Sequence, residues 1–132
     1  MKQKIFQIAL VVEDYDAAIQ FYCKKLNFKL IEDTVLNPEK RWVVVAPPGG
    51  EGCQLLLARA SGEEQLSRVG NQTGGRVFLF MHTDDLDTDY QHLVSQGITI
   101  VRPPSSEPYG KVLVFADLYG NLWDLIEPIS PD

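Results

Sequence analysis

The two halves of this chain share one order of elements, and this internal repeat limits the fold more than any other feature of the sequence. In each half an apolar stretch is followed by acidic residues, an amphipathic stretch of helical spacing and three further apolar stretches. Asp14 matches Asp85, 71 residues later, and Val44 matches Val114, 70 residues later. One residue is therefore lost at the helix end, and we expect no further gap. A repeat of this kind indicates one structural unit used twice.

The pattern in each half predicts a strand, a helix and three more strands. Acidic residues around Asp14 and Asp85 begin the two helices, and Asn27 and Gly97 end them. Residues 60–75 are polar and end in glycines, which is typical of a linker, with a candidate short helix at 61–69. We expect one domain over 1–132, with module one at 1–59 and module two at 76–132. Apolar, β-branched runs predict strands at 5–12, 42–46, 53–58, 77–83, 98–101, 112–116 and 122–126, and a further strand that starts at 28–31.

The composition narrows the possible partners and the compartment. A net charge of −6 argues against binding to nucleic acid or to an anionic membrane. No apolar run reaches membrane-spanning length, and the N-terminus lacks the apolar core of a signal peptide. Cys23 and Cys53 have no metal-type spacing and form no disulfide framework, so we expect free thiols in the cytoplasm.

The chain resembles the vicinal oxygen chelate superfamily, which includes glyoxalases, bleomycin-resistance proteins, fosfomycin-inactivating transferases and ring-cleaving dioxygenases. The resemblance covers essentially the whole chain. It implies an α+β fold of two βαβββ modules, whose curved mixed sheets enclose a cavity and carry helices on the convex side. It also implies a homodimer. The stretches that carry it are Val12–Tyr22, Leu26–Phe28, Pro108–Gly110 and Asp117–Asn121.

The resemblance also implies where a metal would be held, because the first and last strands of each module contribute one inward ligand in metal-dependent members. Those positions here are Gln7, Gln54, Phe78 and Asp124, with Leu56 as the alternative to Gln54 on the same strand face. A phenyl ring offers no lone pair, and two amides with one carboxylate bind a transition metal weakly. We therefore expect no tightly bound metal cofactor, and a weakly bound divalent ion is the less favoured alternative.

Asp124 is the most informative single residue, since it interrupts an apolar strand. A closed, unpaired carboxylate is costly, so Asp124 faces a ligand cavity, or it is a surface carboxylate on an edge strand, or it accepts a structural hydrogen bond. Gln7 is either part of that cavity or an ordinary half-buried amide. Trp42 and Tyr109 are candidate stacking groups at the cavity mouth, although large aromatic residues are more often core. Trp123 has the opposite parity to Asp124 and should pack under the helices.

Three functions compete on these residues. The first is metal-independent binding of a small molecule, as in bleomycin-resistance proteins. The second is a glyoxalase-like lyase or isomerase that uses a weakly bound divalent metal and a carboxylate base. The third is a ring-cleaving dioxygenase, which needs a site of two histidines and one carboxylate that the ligand positions lack. The fold alone does not choose among them.

The first prediction concerns metal content. Because Phe78 offers no lone pair and Asp124 is the only carboxylate of the set, purified protein should carry less than stoichiometric nickel, zinc, iron or manganese. Elemental analysis checks the content, and thermal melts with and without a chelator should give the same melting temperature. A full equivalent of metal that is released only by denaturation would contradict this expectation.

Overall fold

The computed structural model describes residues 1–129 and confirms the α+β class, with one four-stranded mixed sheet in each half. The chain divides into two compact units, Met1–Val69 and Gly70–Asp132. Residues 130–132, the end of the expected module two, lie outside the described residues. The first unit contains β1 (Gln7–Val12), α1 (Tyr15–Ile19), a π-helical segment (Gln20–Lys25), β2 (Lys29–Asn37), β3 (Lys40–Ala46), β4 (Gln54–Arg59) and α2 (Gly62–Arg68). The second contains β5 (Val77–His82), α3 (Leu86–Ser95), β6 (Ile100–Glu107), β7 (Gly110–Ala116) and β8 (Leu122–Pro128).

Both sheets have the same topology. Their strand orders are β1-β4-β3-β2 and β5-β8-β7-β6, with the first and last strands of each module parallel and the other neighbours antiparallel. A parallel pair needs a long crossover connection, which the helix and the hairpin of each module provide. Each sheet is curved and does not close into a barrel.

The helices begin and end where the sequence predicts. Asp14 and Asp85 accept hydrogen bonds from Ala17 N at 2.7 Å and Thr88 N at 3.1 Å, so both act as N-caps. The helices end at Asn27 and Gly97, with φ of 61° and 71°. The first helical stretch is one residue longer, and the π-helical segment Gln20–Lys25 accommodates it. No helix within residues 1–129 is long and apolar enough to cross a membrane.

The sequence predicts where β2 starts but not where it ends, and the predicted strand at 98–101 is shorter than the observed β6. The observed strands, Lys29–Asn37 and Ile100–Glu107, are the outer strands of their sheets. Hydrophobic alternation misses them because β2 is exposed along its whole length. Pro103 and Pro104 lie within β6, and such an edge strand tolerates proline because its outer N–H groups have no ladder partner.

The expectation that the repeat needs no further gap is wrong. Residues 47–53 connect β3 to β4, whereas the shorter stretch 117–121 connects β7 to β8. In consequence Leu56 pairs with Val44, while Asp124 pairs with Val114. Leu56, and not Gln54, therefore occupies in module one the position that Asp124 occupies in module two.

The core of each module lies between its sheet and its helix. In module one Leu10, Leu57 and Val45 of the sheet are fully buried, as is Ala18 of α1, which packs on β3 and β4. In module two Trp123 is 3% exposed and stacks on Phe115 at 5.9 Å between ring centroids. Trp123 thus packs on the helix-covered face of its sheet, as its parity predicts.

Asp117 organises the turn that leads into β8. It is 6% exposed, and its Oδ1 accepts hydrogen bonds from the backbone N–H groups of Tyr119, Gly120 and Asn121 at 2.9–3.0 Å. Its Oδ2 accepts a bond from Asn121 Nδ2 at 3.1 Å. One buried carboxylate therefore fixes the start of the strand that carries Asp124.

Replacing Asp117 should therefore destabilise the fold. The change Asp117→Ala leaves the buried backbone N–H and the buried side-chain amide of Asn121 without this acceptor, and we expect it to lower the free energy of unfolding by about 3 kcal/mol. Urea denaturation measures this loss. The matched control is Asp84→Ala, an exposed aspartate, which should change stability by less than about 0.5 kcal/mol. Equal effects of the two variants would show that the turn does not depend on Asp117.

Candidate functional site

Each sheet packs one face on the helix that follows its first strand, α1 in module one and α3 in module two, and we call the opposite face the open face. On the open face of module one, Gln7 and Gln54 are direct neighbours on β1 and β4, and both are half-buried. Leu56 follows on the same face, between Ala9 and Val44. The structure therefore brings the two predicted glutamines together, beside an apolar position.

On the open face of module two, Asp124 is flanked by apolar side chains. Phe80 of β5 lies on one side, and Val114 of β7 lies on the other. Neighbouring strands are about 5 Å apart, so both side chains border the carboxylate directly. Phe78 falls in a register irregularity between Val77 and Leu79, and it is not the residue opposite Asp124.

The environment of Asp124 is unfavourable for a charge. Its Oδ1 is buried and has no hydrogen-bond partner, and it is the one side-chain nitrogen or oxygen atom in residues 1–129 of which this is true. Burial raises the pKa of the carboxyl, and the positive charge of Arg102 opposes that shift only in part. Arg102 lies two strands away, since it pairs with Val114. A desolvated acceptor on an open face is a site for a ligand donor.

The residues at the implied metal positions do not fit a resident divalent ion. Phe78 and Phe80 have no lone pairs, and Leu56 stands where module two has its carboxylate. Gln7 and Gln54 supply neutral amide oxygens, which offset little of the cost of removing water from a metal. Within residues 1–129, no three His, Cys, Asp or Glu side chains come together as a metal site would require.

The other predicted residues lie in separate places. Trp42 is half-buried on β3, opposite Thr34, and lines a cavity within module one. Tyr109 is 57% exposed in the turn between β6 and β7. Neither residue pairs with Asp124, whose neighbours on the adjacent strands are Phe80 and Val114.

Phe80 is the neighbour of Asp124 on β5, and the sequence does not predict this pair. It is 67% exposed although it is a large apolar residue in a central part of β5. Ideal alternation places Phe78 and Phe80 on the same face of β5. The internal repeat matches Phe78 with Gln7, so it predicts Phe78 as the site residue. Ala9 pairs with Leu56 in module one, and Phe80 pairs with Asp124 at the equivalent place in module two. A comparison of the two halves without a gap does not reveal this equivalence, because the loop before β4 is two residues longer than the loop before β8.

The chain thus consists of two βαβββ units, each with one curved four-stranded sheet and candidate ligand-binding side chains on its open face. This arrangement is typical of a class of small α+β proteins. The chain belongs to the Glyoxalase/Bleomycin resistance protein/Dioxygenase superfamily, whose family model matches residues 4–125. This confirms the relationship that the sequence motifs indicate.

The similarity to other proteins extends over nearly the whole chain. An uncharacterized protein of Shewanella frigidimarina (strain NCIMB 400) is 61% identical over 128 residues, which cover 96% of this chain and 95% of that protein. The crystal structure of UcmS2 has a TM-score of 0.85 at 26% identity, covering 96% of this chain and 99% of that one. The crystal structure of TnmS3, an antibiotic binding protein from Streptomyces sp. CB03234, has a TM-score of 0.77 at 27% identity, covering 96% and 97%.

The burial of Asp124 predicts a pH-dependent effect on stability. Because the folded state raises the pKa of this carboxyl, folding loses stability as the pH rises from the ordinary aspartate range through the raised value. The change Asp124→Leu, which copies Leu56 of module one, should therefore raise the free energy of unfolding at pH 7 by about 1 kcal/mol.

Denaturation at several pH values measures this gain, which should shrink as the pH falls below about 4, where aspartate is protonated in both states. Asp84→Leu is the control, since Asp84 is exposed. A loss of stability in Asp124→Leu at pH 7 would show that the carboxylate has a stabilising role.

Proposed function

We propose that the protein binds a small organic molecule on the open face of module two and that Asp124 anchors a cationic or hydrogen-bond-donating group of it. The observation that carries the proposal is the buried Oδ1 of Asp124, which has no hydrogen-bond partner within residues 1–129. A ligand N–H or O–H would supply the missing bond. A charge-assisted bond of this kind is stronger than one between neutral groups.

The neighbours of Asp124 suggest the rest of the ligand. Phe80 exposes most of its ring beside the carboxylate, and Val114 covers the other side. Apolar walls around a few polar groups are the usual composition of a small-molecule site. The preferred ligand therefore has an aromatic or alicyclic body and carries an amine or a hydroxyl group. The similarity to TnmS3, an antibiotic binding protein, supports small-molecule binding.

We propose that this binding does not depend on a tightly held metal. Phe80 and Phe78 supply no ligand atoms, and Asp124 is a single carboxylate. A glyoxalase-like lyase reaction would need a metal to polarise two neighbouring oxygens, so this donor set favours binding over such a reaction. The proposal also places the protein in the cytoplasm, in keeping with the free thiols of Cys23 and Cys53.

The proposed assembly is a homodimer. The outer strand β2 exposes Leu30, Ile31, Val35 and Leu36, and Ile5 and Phe6 are exposed before β1. An outer strand with apolar side chains and unpaired backbone groups favours pairing with another chain. A second copy of the same chain would cover these residues in a symmetric contact.

A ligand screen tests the role of Asp124. Thermal shift would identify hits among aromatic amines, alicyclic amines and their hydroxyl analogues, and calorimetry would then give affinities for the wild type and for Asp124→Asn. The Asn side chain has the same shape but no charge, so binding should weaken by about 1–3 kcal/mol, which is roughly 5- to 150-fold. Phe80→Ala should also weaken binding, because it removes the apolar wall.

The matched control is Asp84→Asn, which removes an exposed carboxylate and should leave the affinity unchanged. Equal affinities for the wild type and Asp124→Asn would contradict the proposed anchor. Amine hits that bind equally well to Asp124→Asn and Phe80→Ala would locate the site elsewhere.

A further inference from the structure

The two modules differ at one end of their sheets. In module two, β7 and β8 are paired along their whole length, from Gly110 with Pro128 to Ala116 with Leu122. In module one the paired residues of β3 and β4 are Val44 with Leu56 and Val45 with Leu55. The beginning of β3 and the end of β4 are therefore separated.

Tyr15 fills one side of this gap. Its hydroxyl oxygen accepts a hydrogen bond at 3.2 Å from the backbone N–H of Arg41, so this strand N–H bonds a side chain instead of a neighbouring strand. The Arg41 guanidinium lies 5.2 Å from the centroid of the Tyr15 ring. Module two has Leu86 at the corresponding position, which offers no hydroxyl group. The hydrogen bond from Arg41 to Tyr15 therefore accompanies the separation of β3 from β4 in module one, and module two has no equivalent side chain to form it.

A cavity of about 700 Å³ lies between the separated strand ends. This volume is within the range of small-molecule sites. Trp42 and Ala58 contribute to its lining from β3 and β4, and Gln65 contributes from α2. Within residues 1–129, the indole ring of Trp42 has no hydrogen bond and no aromatic partner, so one part of the lining is an unused aromatic surface.

The charged groups of the lining are not equivalent. Arg41 is held by Asp33 at 2.7 Å and by Asp16 at 2.9 Å. Lys40 and Arg59 form no ion pair within the described part of the chain. Glu39 is the carboxylate among the lining residues, so the available cations outnumber the carboxylates there. Arg41 and the two aspartates that it pairs with carry a net charge of −1, so the surroundings of the cavity are neutral overall, and Lys40 and Arg59 are the cations that remain available to an anion.

We infer that this cavity is a second ligand site, which takes a planar aromatic molecule with a carboxylate or phosphate group. The aromatic ring stacks on Trp42, and the anionic group pairs with Lys40 and Arg59. The side chains of these two cations bring charge to the cavity at little cost, because both remain partly in water. The preference for an anion separates this site from the Asp124 site, which attracts a cation or a neutral donor.

Titration with 2-naphthoate tests the inference, with 2-naphthamide as the neutral analogue. Amide chemical shifts in ¹⁵N spectra of the wild type should move most in residues 40–42 and 58–61. Trp42→Val, which copies Val112 of module two, should weaken 2-naphthoate binding about tenfold, and Trp42→Phe should restore part of it. The double variant Lys40→Gln/Arg59→Gln should weaken 2-naphthoate about five- to tenfold and leave 2-naphthamide nearly unchanged.

The control for charge is Lys2→Gln/Lys29→Gln, which removes two exposed lysines outside the cavity lining and should not alter binding. Thermal melts would confirm that each variant is folded. Binding should also weaken with added salt, because the pairing groups are exposed. Absence of 2-naphthoate binding at millimolar concentration, shifts confined to module two, or equal losses for both analogues would overturn the inference. Asp124→Asn should bind 2-naphthoate as the wild type does, so failure of one site is distinguishable from failure of the other.

Discussion

The parallel pairing between the first and last strands of each module determines where its functional side chains meet. A parallel pair cannot close through a tight turn, so the helix and the hairpin must lie between the two strands in sequence. Pairing β1 with β4 places Gln7 beside Gln54, and pairing β5 with β8 places Phe80 beside Asp124. Each open face therefore combines residues from opposite ends of a module. The sheet topology has to form before any of these neighbours exist.

Much of this topology could be predicted from the sequence. The helix boundaries follow from local chemistry, since Asp14 and Asp85 act as caps and Asn27 tolerates positive φ. The lengths of β2 and β6 could not be predicted by the same means. These outer strands are held by backbone pairing with β3 and β7, and their exposed side chains need not alternate.

The sequence predicts on which sheet face the candidate side chains lie, but it does not predict their neighbours. Asp124 and Trp123 lie on opposite faces of β8, as their alternation predicts, whereas a role of Asp124 in ligand binding stays a prediction. The sequence does not predict that Phe80 is the neighbour of Asp124. A register irregularity near Phe78 changes the pairing of β5 with β8, and the longer loop before Gln54 changes which residue of module one corresponds to Asp124. No local sequence signal indicates either change. Register depends on long-range contacts, and a small slip changes which side chains are neighbours.

The free energy of Asp124 links stability to the proposed binding. The buried Oδ1 of Asp124, which has no hydrogen-bond partner within residues 1–129, belongs to a residue between Phe80 and Val114, and its desolvation opposes folding. Leu56 occupies the corresponding position of module one, so we expect that the packing of module two does not require Asp124. A ligand donor that completes the missing hydrogen bond would remove a penalty that the free protein bears. Such a ligand stabilises the folded state by its binding free energy, and specificity follows because a ligand without a donor leaves the penalty in place.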